Sequence, residues 1–327
     1  MAGSRTSSRA ARADPSGFDG ILVLAKPPGP TSHDMVALVR RLAAIRRVGH
    51  GGTLDPFASG VLPIFLGRAT RIVEYHLADR KSYRATVCFG ATSSTDDLEG
   101  SLEVVPGPAL DRSTVVAALG AFRGQIEQRP PAYSAVKIAG RRAYAMARAG
   151  ERPELRPRTV TIHSIDVLEW DAADPDRPVA VLDVECSAGT YIRALARDLG
   201  SAVGSGAYLG SLTRTASGPF RLGDAASVDA LREAAAAGPA RLRALLLPAE
   251  TGLDRFPRVI LEPPEVAAIA RGQFVRPSRA VLAPEGPDAH LRLVDNHDRL
   301  VAIAAWRDGR LAPEKVLVDV PSRSGDA

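Results

Sequence analysis

The order of apolar and polar residues along the chain predicts alternating strands and helices. Residues 21–24 form a continuous apolar run typical of a buried strand, whereas residues 81–89 alternate as expected for a strand with one buried face. Thr31 and Ser32 can cap a helix, because the apolar positions that follow them recur at helical spacing. Further elements are expected as helices over residues 113–122, 190–199 (with Gly200 past the end) and 221–246, and as paired strands over residues 160–167 and 179–186.

Towards the C-terminus, short alternating segments replace the longer helical ones. A linker is expected over residues 248–257, and strands beyond it at residues 291–294 and 300–304 are joined by polar turn residues. A second turn is expected at Asp308 and Gly309. We therefore expect an α+β chain with a disordered tail over residues 1–16, a large domain over residues 17–247 and a small β-rich domain over residues 258–321.

Positive charge is concentrated in one stretch of the chain. The 327 residues carry a formal net charge of +5, yet residues 123–158 alone hold nine Lys or Arg against three Glu. Such an excess favours an anionic partner, although a solvated basic face has the same composition. Residues 123–158 are therefore a candidate surface for the phosphates of a nucleic acid.

Several classes of function lack the residues that they need. The two cysteines, Cys88 and Cys186, lie far apart beside apolar residues, which indicates buried thiols in a reducing, cytoplasmic compartment. No apolar run is long enough to cross a bilayer, so no membrane partner is expected. The chain has no phosphate-binding glycine loop, no dinucleotide fingerprint and no metal-ligand spacing. We expect chemistry without a metal, a nucleotide cofactor or any other cofactor.

One segment, residues 49–67, concentrates the candidate chemistry. Glycines surround His50 there, and Asp55 directly precedes Pro56. Glycine lets a backbone approach a bound partner closely, and the proline restricts Asp55 to extended or turn geometry. A Gly-Pro turn in which Asp55 merely caps a neighbour has the same local signature. The apolar run that follows would anchor this loop to a core.

A carboxylate in such a loop can act as a nucleophile or a base. It must stay ionised while substrate encloses it, and a cation within about 4–6 Å would hold its pKa down against burial. Arg193 is one candidate for that cation, and the pair Arg46 and Arg47 is the other. The residues alone leave this choice open.

The segment around Asp55 resembles the catalytic motif of the TruB family of tRNA pseudouridine synthases, and four further blocks match in the same order. These blocks are residues 26–32 (Lys-Pro-Pro-Gly-Pro-Thr-Ser), 81–85 (Lys-Ser-Tyr-Arg-Ala) with 94–100, 128–137, and 189–193 (Gly-Thr-Tyr-Ile-Arg) with 206–215. The resemblance implies a pseudouridine synthase fold, in which helices and loops flank a central mixed, mainly antiparallel sheet. It also implies an RNA-gripping insertion at about residues 123–158 and a PUA-like RNA-binding domain at the C-terminus.

The resemblance further implies a role for individual residues. Asp55 would be the nucleophile, Tyr83 would stack on or near the target base and could move a proton, and Arg193 would pair with Asp55. The uridine pocket would be shaped by His50, Tyr191 and Leu212, and further substrate contacts would come from Lys26, Lys137, Arg141 and Arg142. Whether Asp55 attacks C1′ of the ribose, attacks C6 of uracil or assists proton removal stays open.

The implied activity is conversion of uridine to pseudouridine at position 55 in the T loop of tRNA, after the base has been flipped out of its stack. This isomerisation is redox-neutral and needs no external group, in keeping with the missing cofactor motifs. The expected partner is the T arm of tRNA, and the expected state is a monomer. Two alternatives remain: an RNA-binding or tRNA-folding factor with secondary catalysis, and a guide-dependent synthase of ribosomal RNA.

Overall fold

The structure, a computed structural model, describes residues 17–134, 137, 138, 140–142, 146, 149, 151, 155–282, 286 and 289–320. The expected tail over residues 1–16 lies outside these ranges. The strands are β1 (Gly20–Lys26), β2 (Val48–His50), β3 (Ser59–Leu66), β4 (Lys81–Phe89), β5 (Ala91–Ser93), β6 (Leu102–Val104), β7 (Gly124–Gln128), β8 (Lys137–Ile138), β9 (Arg141–Arg142), β10 (Arg158–Asp171), β11 (Val179–Cys186), β12 (Ala207–Ser217), β13 (Phe220–Arg221), β14 (Leu246–Leu247), β15 (Arg258–Ile260), β16 (His290–Val294), β17 (Leu300–Arg307) and β18 (Arg310–Val316). The α-helices are α1 (Ser32–Leu42), α2 (Val73–Leu77), α3 (Arg112–Ala118), α4 (Ile192–Ala202), α5 (Val228–Ala236), α6 (Pro239–Arg243) and α7 (Pro263–Ala270), with short 3-10 helices at Gly67–Ile72, Leu119–Phe122 and Leu222–Asp224.

A mixed, mainly antiparallel sheet of ten strands forms the centre of the large domain, as the family resemblance implied. The strand order is β14-β1-β3-β12-β4-β11-β10-β7, with β2 paired to β3 and β13 paired to β12. Strands β3 and β12 run parallel, and Arg214 pairs there with Gly60. A Cβ at Gly60 would lie 2.2 Å from the Arg214 carbonyl oxygen, so only glycine allows this close approach. The junction brings the loop that precedes β3 against the middle of β12.

The continuous apolar run in β1 is explained by burial of both faces of the sheet. Leu22 and Leu24 face a cluster with helix α1, whereas Ile21 and Val23 face a second cluster that includes residues of the C-terminal domain. Strand β4 instead alternates, with buried residues at every second position from Lys81 to Phe89. A strand buried on both faces thus gives the continuous apolar run of β1, and a strand buried on one face gives the alternation of β4.

Helix α1 begins where its cap was predicted. Thr31 accepts a hydrogen bond from the Asp34 amide, and the Asp34 side chain accepts one from the Thr31 amide, which completes a capping box. The end predicted for the helix near residue 199 was wrong, because Gly200 lies inside α4. A Cβ at Gly200 would lie 2.2 Å from the Ala207 amide nitrogen, so close packing on β12 requires the glycine. None of the helices in the described ranges is both long and apolar enough to span a membrane.

The single helix predicted over residues 221–246 was also wrong. The stretch divides into a short strand, a 3-10 turn, helices α5 and α6, and strand β14. Gly238 takes a φ of 107° between the two helices, and Pro239 opens α6 at its first turn. Neither residue can continue a helix, so the helix expected from the alanine-rich composition is interrupted here.

The small C-terminal domain is a four-stranded sheet in the order β15-β16-β17-β18. Asp308 and Gly309 join its last two strands with left-handed φ angles of 49° and 72°, as expected for a two-residue hairpin. Ile303 of this sheet shares a buried cluster with Phe65 of the large domain. Leu253, from the stretch expected to be a linker, is fully buried in the same cluster, so residues 248–257 form a packed connection.

Candidate active site

The loop that carries Asp55 runs over residues 51–58, between β2 and β3, and has no strand or helix of its own. Its backbone groups are paired in other ways. The Gly51 amide donates to the Pro63 carbonyl at 2.9 Å, and the Gly29 amide donates to the Pro56 carbonyl at 2.8 Å. Because these groups would be costly to bury unpaired, each bond restricts the conformation of the loop.

Side chains from beneath hold the same loop. The Ser32 hydroxyl accepts from the Leu54 amide at 2.9 Å and lies 3.1 Å from the Leu54 carbonyl. Lys26 is 1% exposed, and its Nζ donates to the Pro27, Pro56 and Ala58 carbonyls at 3.0, 3.0 and 2.6 Å. Burial lowers the pKa of Lys26 to about 8. The ammonium predicted to contact substrate thus lies in the interior, where it braces the part of the loop that follows Asp55.

Asp55 forms an ion pair with Arg193 at the start of helix α4. The Arg193 Nε lies 3.1 Å from Oδ2 of Asp55, and Nη2 donates to Oδ1 at 3.2 Å, so the guanidinium engages both oxygens. The side chain of Arg193 is 5% exposed and that of Asp55 is 34% exposed. The structure therefore brings Arg193 to the carboxylate, with one edge of Asp55 left open to solvent.

A second carboxylate shares the same guanidinium. Nη1 of Arg193 donates to Oδ2 of Asp97 at 3.0 Å and to the Thr95 carbonyl at 3.1 Å, and Nη2 donates to the Tyr133 carbonyl at 2.9 Å. The other Asp97 oxygen accepts from the Glu99 amide at 3.0 Å. Arg193 therefore lies in a rigid set of acceptors, and Asp97 sets its orientation towards Asp55.

The electrostatics of Asp55 differ from the expectation. Its pKa is raised, because burial outweighs the attraction of the Arg193 guanidinium, and the nearby Asp97 charge raises it further. The cation was expected to hold this pKa down, and Arg193 reduces the effect of burial without reversing it. A carboxylate with a raised pKa is a better base and nucleophile once ionised, as the chemistry of such sites requires.

His50, at the end of β2, lies on the approach to the loop. Its ring meets His33 edge to face, with ring centroids 5.3 Å apart. Burial lowers the pKa of His50, and the nearby His33 and Arg214 act in the same direction. These effects favour the neutral form of the ring, which can present an apolar face to a base.

Tyr83 and Leu212 lie opposite the loop, on adjacent strands β4 and β12. Both are buried in the cluster that contains Leu54. The pKa of Tyr83 is raised mainly by burial, and the nearby Arg214 guanidinium acts in the opposite direction. The aromatic ring is thus held in place beside the Asp55 loop, as a stacking surface must be.

Tyr191 lies at the N-terminus of α4, two residues before Arg193. Its amide donates to Oε1 of Gln128 at 2.8 Å, and Nε2 of the buried Gln128 donates to the Tyr191 carbonyl at 3.0 Å. The Arg158 guanidinium lies 4.4 Å from the centre of the Tyr191 ring. This arrangement ties the end of β7 to the helix that presents Arg193.

The basic residues of the insertion are only partly described. Strands β8 and β9 pair Lys137 with Arg142, whose side chains lie outside the described structure. Arg141 is exposed and donates to both carboxylate oxygens of Glu151, at 3.1 and 2.6 Å. Its charge is therefore partly offset by a neighbour. The contacts expected between these residues and RNA stay predictions.

The sequence analysis missed three residues of the site: Asp97, Gln128 and Arg214. Asp97 belongs to a matched block, but only the fold shows that it meets Arg193, 96 residues away. Arg214 offered a usable signal, since it occupies an inward position between Leu212 and Ala216 on a strand that is otherwise apolar on that side. The residues that the structure describes contain no cluster of three or more His, Cys, Asp or Glu side chains able to hold a metal ion.

The chain matches three family models in succession. They are TruB family pseudouridylate synthase (N terminal domain) over residues 40–192, tRNA pseudouridylate synthase B C-terminal domain over residues 193–254, and Pseudouridine synthase II TruB, C-terminal, over residues 257–317. Curated relatives named tRNA pseudouridine synthase B include those of Bradyrhizobium diazoefficiens and Gloeobacter violaceus. The first is 41% identical, and the match covers 93% of this chain and 87% of the relative. The second is 44% identical, and the match covers 92% of this chain and 99% of the relative.

Solved structures show the same fold. A Cbf5-Nop10-Gar1 complex contains a chain with a TM-score of 0.71 and 28% identity, over 93% of this chain and 86% of that one. An H/ACA RNP bound to a substrate RNA containing 2′-deoxyuridine gives a TM-score of 0.71 and 26% identity, over 93% and 87%. The similarity spans both domains of the chain.

Proposed function

The chain belongs to the TruB family of pseudouridine synthases, and on that premise we propose that it converts uridine to pseudouridine in tRNA, at position 55 of the T loop. The observation that carries this proposal is the partly exposed Asp55, with both of its oxygens close to the Arg193 guanidinium. One hydrogen bond and a second close ionic contact restrict the orientation of the carboxylate while leaving an edge for substrate. The braced loop beneath Asp55 supports the same function.

The isomerisation breaks the bond between N1 of uracil and C1′ of the ribose, turns the uracil, and joins its C5 to C1′. The C5 proton leaves and N1 gains a proton, so atoms and electrons balance without any external group. Asp55 acts as the nucleophile or assists proton removal, and an ionised carboxylate is needed in either case. Tyr83 holds the detached uracil against its ring during the turn.

The target uridine must leave its stack before it reaches Asp55, at a cost of a few kcal/mol. His50, next to Gly51 and Gly52 in the chain, can occupy the space that the base leaves. Tyr191 and Leu212 then line the sides of the pocket. Binding energy from the T arm, through residues 123–158 and the C-terminal PUA-like domain, would offset the cost of flipping.

Two alternative functions have less support. A guide-dependent synthase within a ribonucleoprotein is suggested by the likeness to Cbf5 complexes at 26–28% identity. The relatives named tRNA pseudouridine synthase B are closer, at 41–46%. A tRNA-folding factor with secondary catalysis would not need Asp55 paired as it is with Arg193. We further propose that the protein works in the cytoplasm as a monomer.

The test uses purified protein and an unmodified tRNA transcript. Pseudouridine is mapped by carbodiimide-dependent primer extension, with Asp55→Asn as the matched variant. We expect one modified uridine, in the T loop, with the wild-type protein and none with the variant. Equal modification by both proteins would exclude Asp55 as the nucleophile. Modification that appears only when a guide RNA is added would favour the guide-dependent function.

A further inference from the structure

Arg214 is the largest of the fully buried side chains in the described structure, with 1% of the residue exposed. It extends from the middle of β12 towards the Asp55 loop. Burying a guanidinium is costly unless each donor finds a partner. In the described ranges, however, no carboxylate lies within ion-pair distance of Arg214. Charge neutralisation therefore does not explain why an arginine lies here.

The partners of Arg214 are backbone carbonyls. Its Nε donates to the Val61 carbonyl at 2.7 Å, Nη1 to that of Thr53 at 3.3 Å, and Nη2 to that of Gly52 at 3.2 Å. Gly52 and Thr53 belong to the irregular loop and lie just before Asp55, and Val61 is the third residue of β3, the strand that follows the loop. The planar guanidinium thus ties the first part of the loop to this strand through three donors in fixed directions.

The same guanidinium reaches Tyr83. Arg214 is the register partner of Tyr83 across β4 and β12, and its positive charge lowers the pKa of the phenol against the effect of burial. Arg214 therefore holds the backbone of the Asp55 loop and also lies next to Tyr83 on the adjacent strand.

We propose that Arg214 is a positioning residue for pseudouridine formation: it holds the peptides that lead into Asp55 and the phenol of Tyr83 in one arrangement. This role rests on the function proposed above. Arg214 acts through these two residues and need not touch the RNA. A displacement of the loop by about 1 Å is enough to cost a factor of about 100 in rate.

The test compares Arg214→Lys with Lys81→Met in the full-length protein, under single-turnover conditions with an unmodified tRNA transcript. Lys81 is a matched control, because it is also a buried cation but donates only to the His76 and Asp79 carbonyls, at 3.2 and 2.9 Å. We expect Arg214→Lys to lower the rate about 10- to 100-fold, with the dissociation constant for tRNA changed less than about threefold. Lys81→Met should lower the melting temperature while leaving the rate close to that of the wild type.

A double-mutant cycle with Tyr83→Phe then tests the coupling. If Arg214 acts partly through the phenol, the combined variant should lose less than the product of the two single losses. A wild-type rate for Arg214→Lys, an equal loss in Lys81→Met, or fully multiplicative losses with Tyr83→Phe would each overturn the proposal. If Arg214→Lys does not fold, Arg214→Gln is measured with the same expectations. A wild-type protein without activity on tRNA would instead overturn the proposed function.

Discussion

Two buried arginines flank the Asp55 loop, and they are partnered in opposite ways. Arg193 lies between two carboxylates, Asp55 and Asp97, whereas Arg214 donates to backbone carbonyl oxygens and lies beside Tyr83 on the adjacent strand. The first therefore controls the charge and direction of the reacting carboxylate. The second controls the shape of the backbone that carries it. A site of this kind separates electrostatics from positioning, and each arginine can be altered without directly removing the other's contacts.

The largest effect is expected for Arg193→Lys. A lysine keeps the positive charge but cannot engage both Asp55 oxygens and Asp97 at once. Asp55 then loses part of the partner that orients it, and we expect kcat to fall about 100- to 1,000-fold, which corresponds to about 3–4 kcal/mol in the barrier. Single-turnover assays on the tRNA transcript measure this loss, alongside Arg214→Lys. A smaller loss of kcat for Arg193→Lys than for Arg214→Lys would show that positioning of the loop matters more to the rate than the ion pair does.

Asp97→Asn sharpens the comparison, because it removes one of the two charges that distinguish Arg193 from Arg214. The Asp97 charge raises the pKa of Asp55, so its removal lowers that pKa. Asp55 then becomes ionised at lower pH, and the acid limb of the pH–rate profile should move to lower pH. We expect kcat at neutral pH to fall about tenfold, since Asp97 no longer orients Arg193 as tightly. An acid limb that moves upwards would contradict this electrostatic account.

A third prediction concerns stability. The pKa of Asp55 is raised in the folded protein, so the unfolded state binds fewer protons above the unfolded pKa. Ionised Asp55 therefore reduces the free energy of unfolding at neutral pH, and this penalty disappears as the pH falls below the unfolded pKa. Asp55→Asn should melt at the wild-type temperature or up to about 2 °C above it at pH 7, because solvent at the open edge of Asp55 moderates the effect.

Thermal scans of both proteins at pH 7 and at about pH 4 show directly whether ionised Asp55 raises or lowers the stability of the fold. Any advantage of Asp55→Asn at neutral pH should shrink in acid. A variant that melts several degrees below the wild type at pH 7 would show that the ion pair with Arg193 contributes more than burial costs.

The elements of the fold could be predicted where local pattern and tertiary packing agree. Strand β4 has the predicted bounds, because Tyr83, Ala85 and Val87 alternate into one core. Packing overrode the local pattern at Gly200, which looked like a helix end but lies where α4 crosses β12 closely. Composition likewise favoured a helix through Gly238, whose positive φ ends it. Local rules fail where one backbone must pass close to another.

The candidate site could be predicted less completely, because its contacts are distant in sequence. Asp55 and Arg193 are separated by 138 residues, and only the fold decides between Arg193 and the pair Arg46 and Arg47. The family resemblance supplied that pairing as an implication. The resemblance did not imply a role for Arg214. Its partners are backbone carbonyls, which every residue carries, so no acidic residue in the sequence points to it.

The smallest expected effect concerns a third arginine, which is exposed. Arg141 and Glu151 are both exposed, and pairs of this kind contribute about 0–1 kcal/mol. Glu151→Gln frees the Arg141 charge for RNA phosphates, so we expect tRNA binding about two- to threefold tighter at low salt. Arg141→Ala should weaken binding by a similar factor.

Titration of tRNA binding against salt checks this prediction, with kcat as the control. Both variants should converge on the wild-type affinity as salt rises, because exposed charges are screened. Their kcat should match that of the wild type, since neither residue contacts the loop or the two buried arginines. If Glu151→Gln weakens binding, the pair orders the insertion for RNA. Arg141 would then position a backbone as Arg214 does. An exposed arginine could in that case act as a positioning residue just as a buried one can.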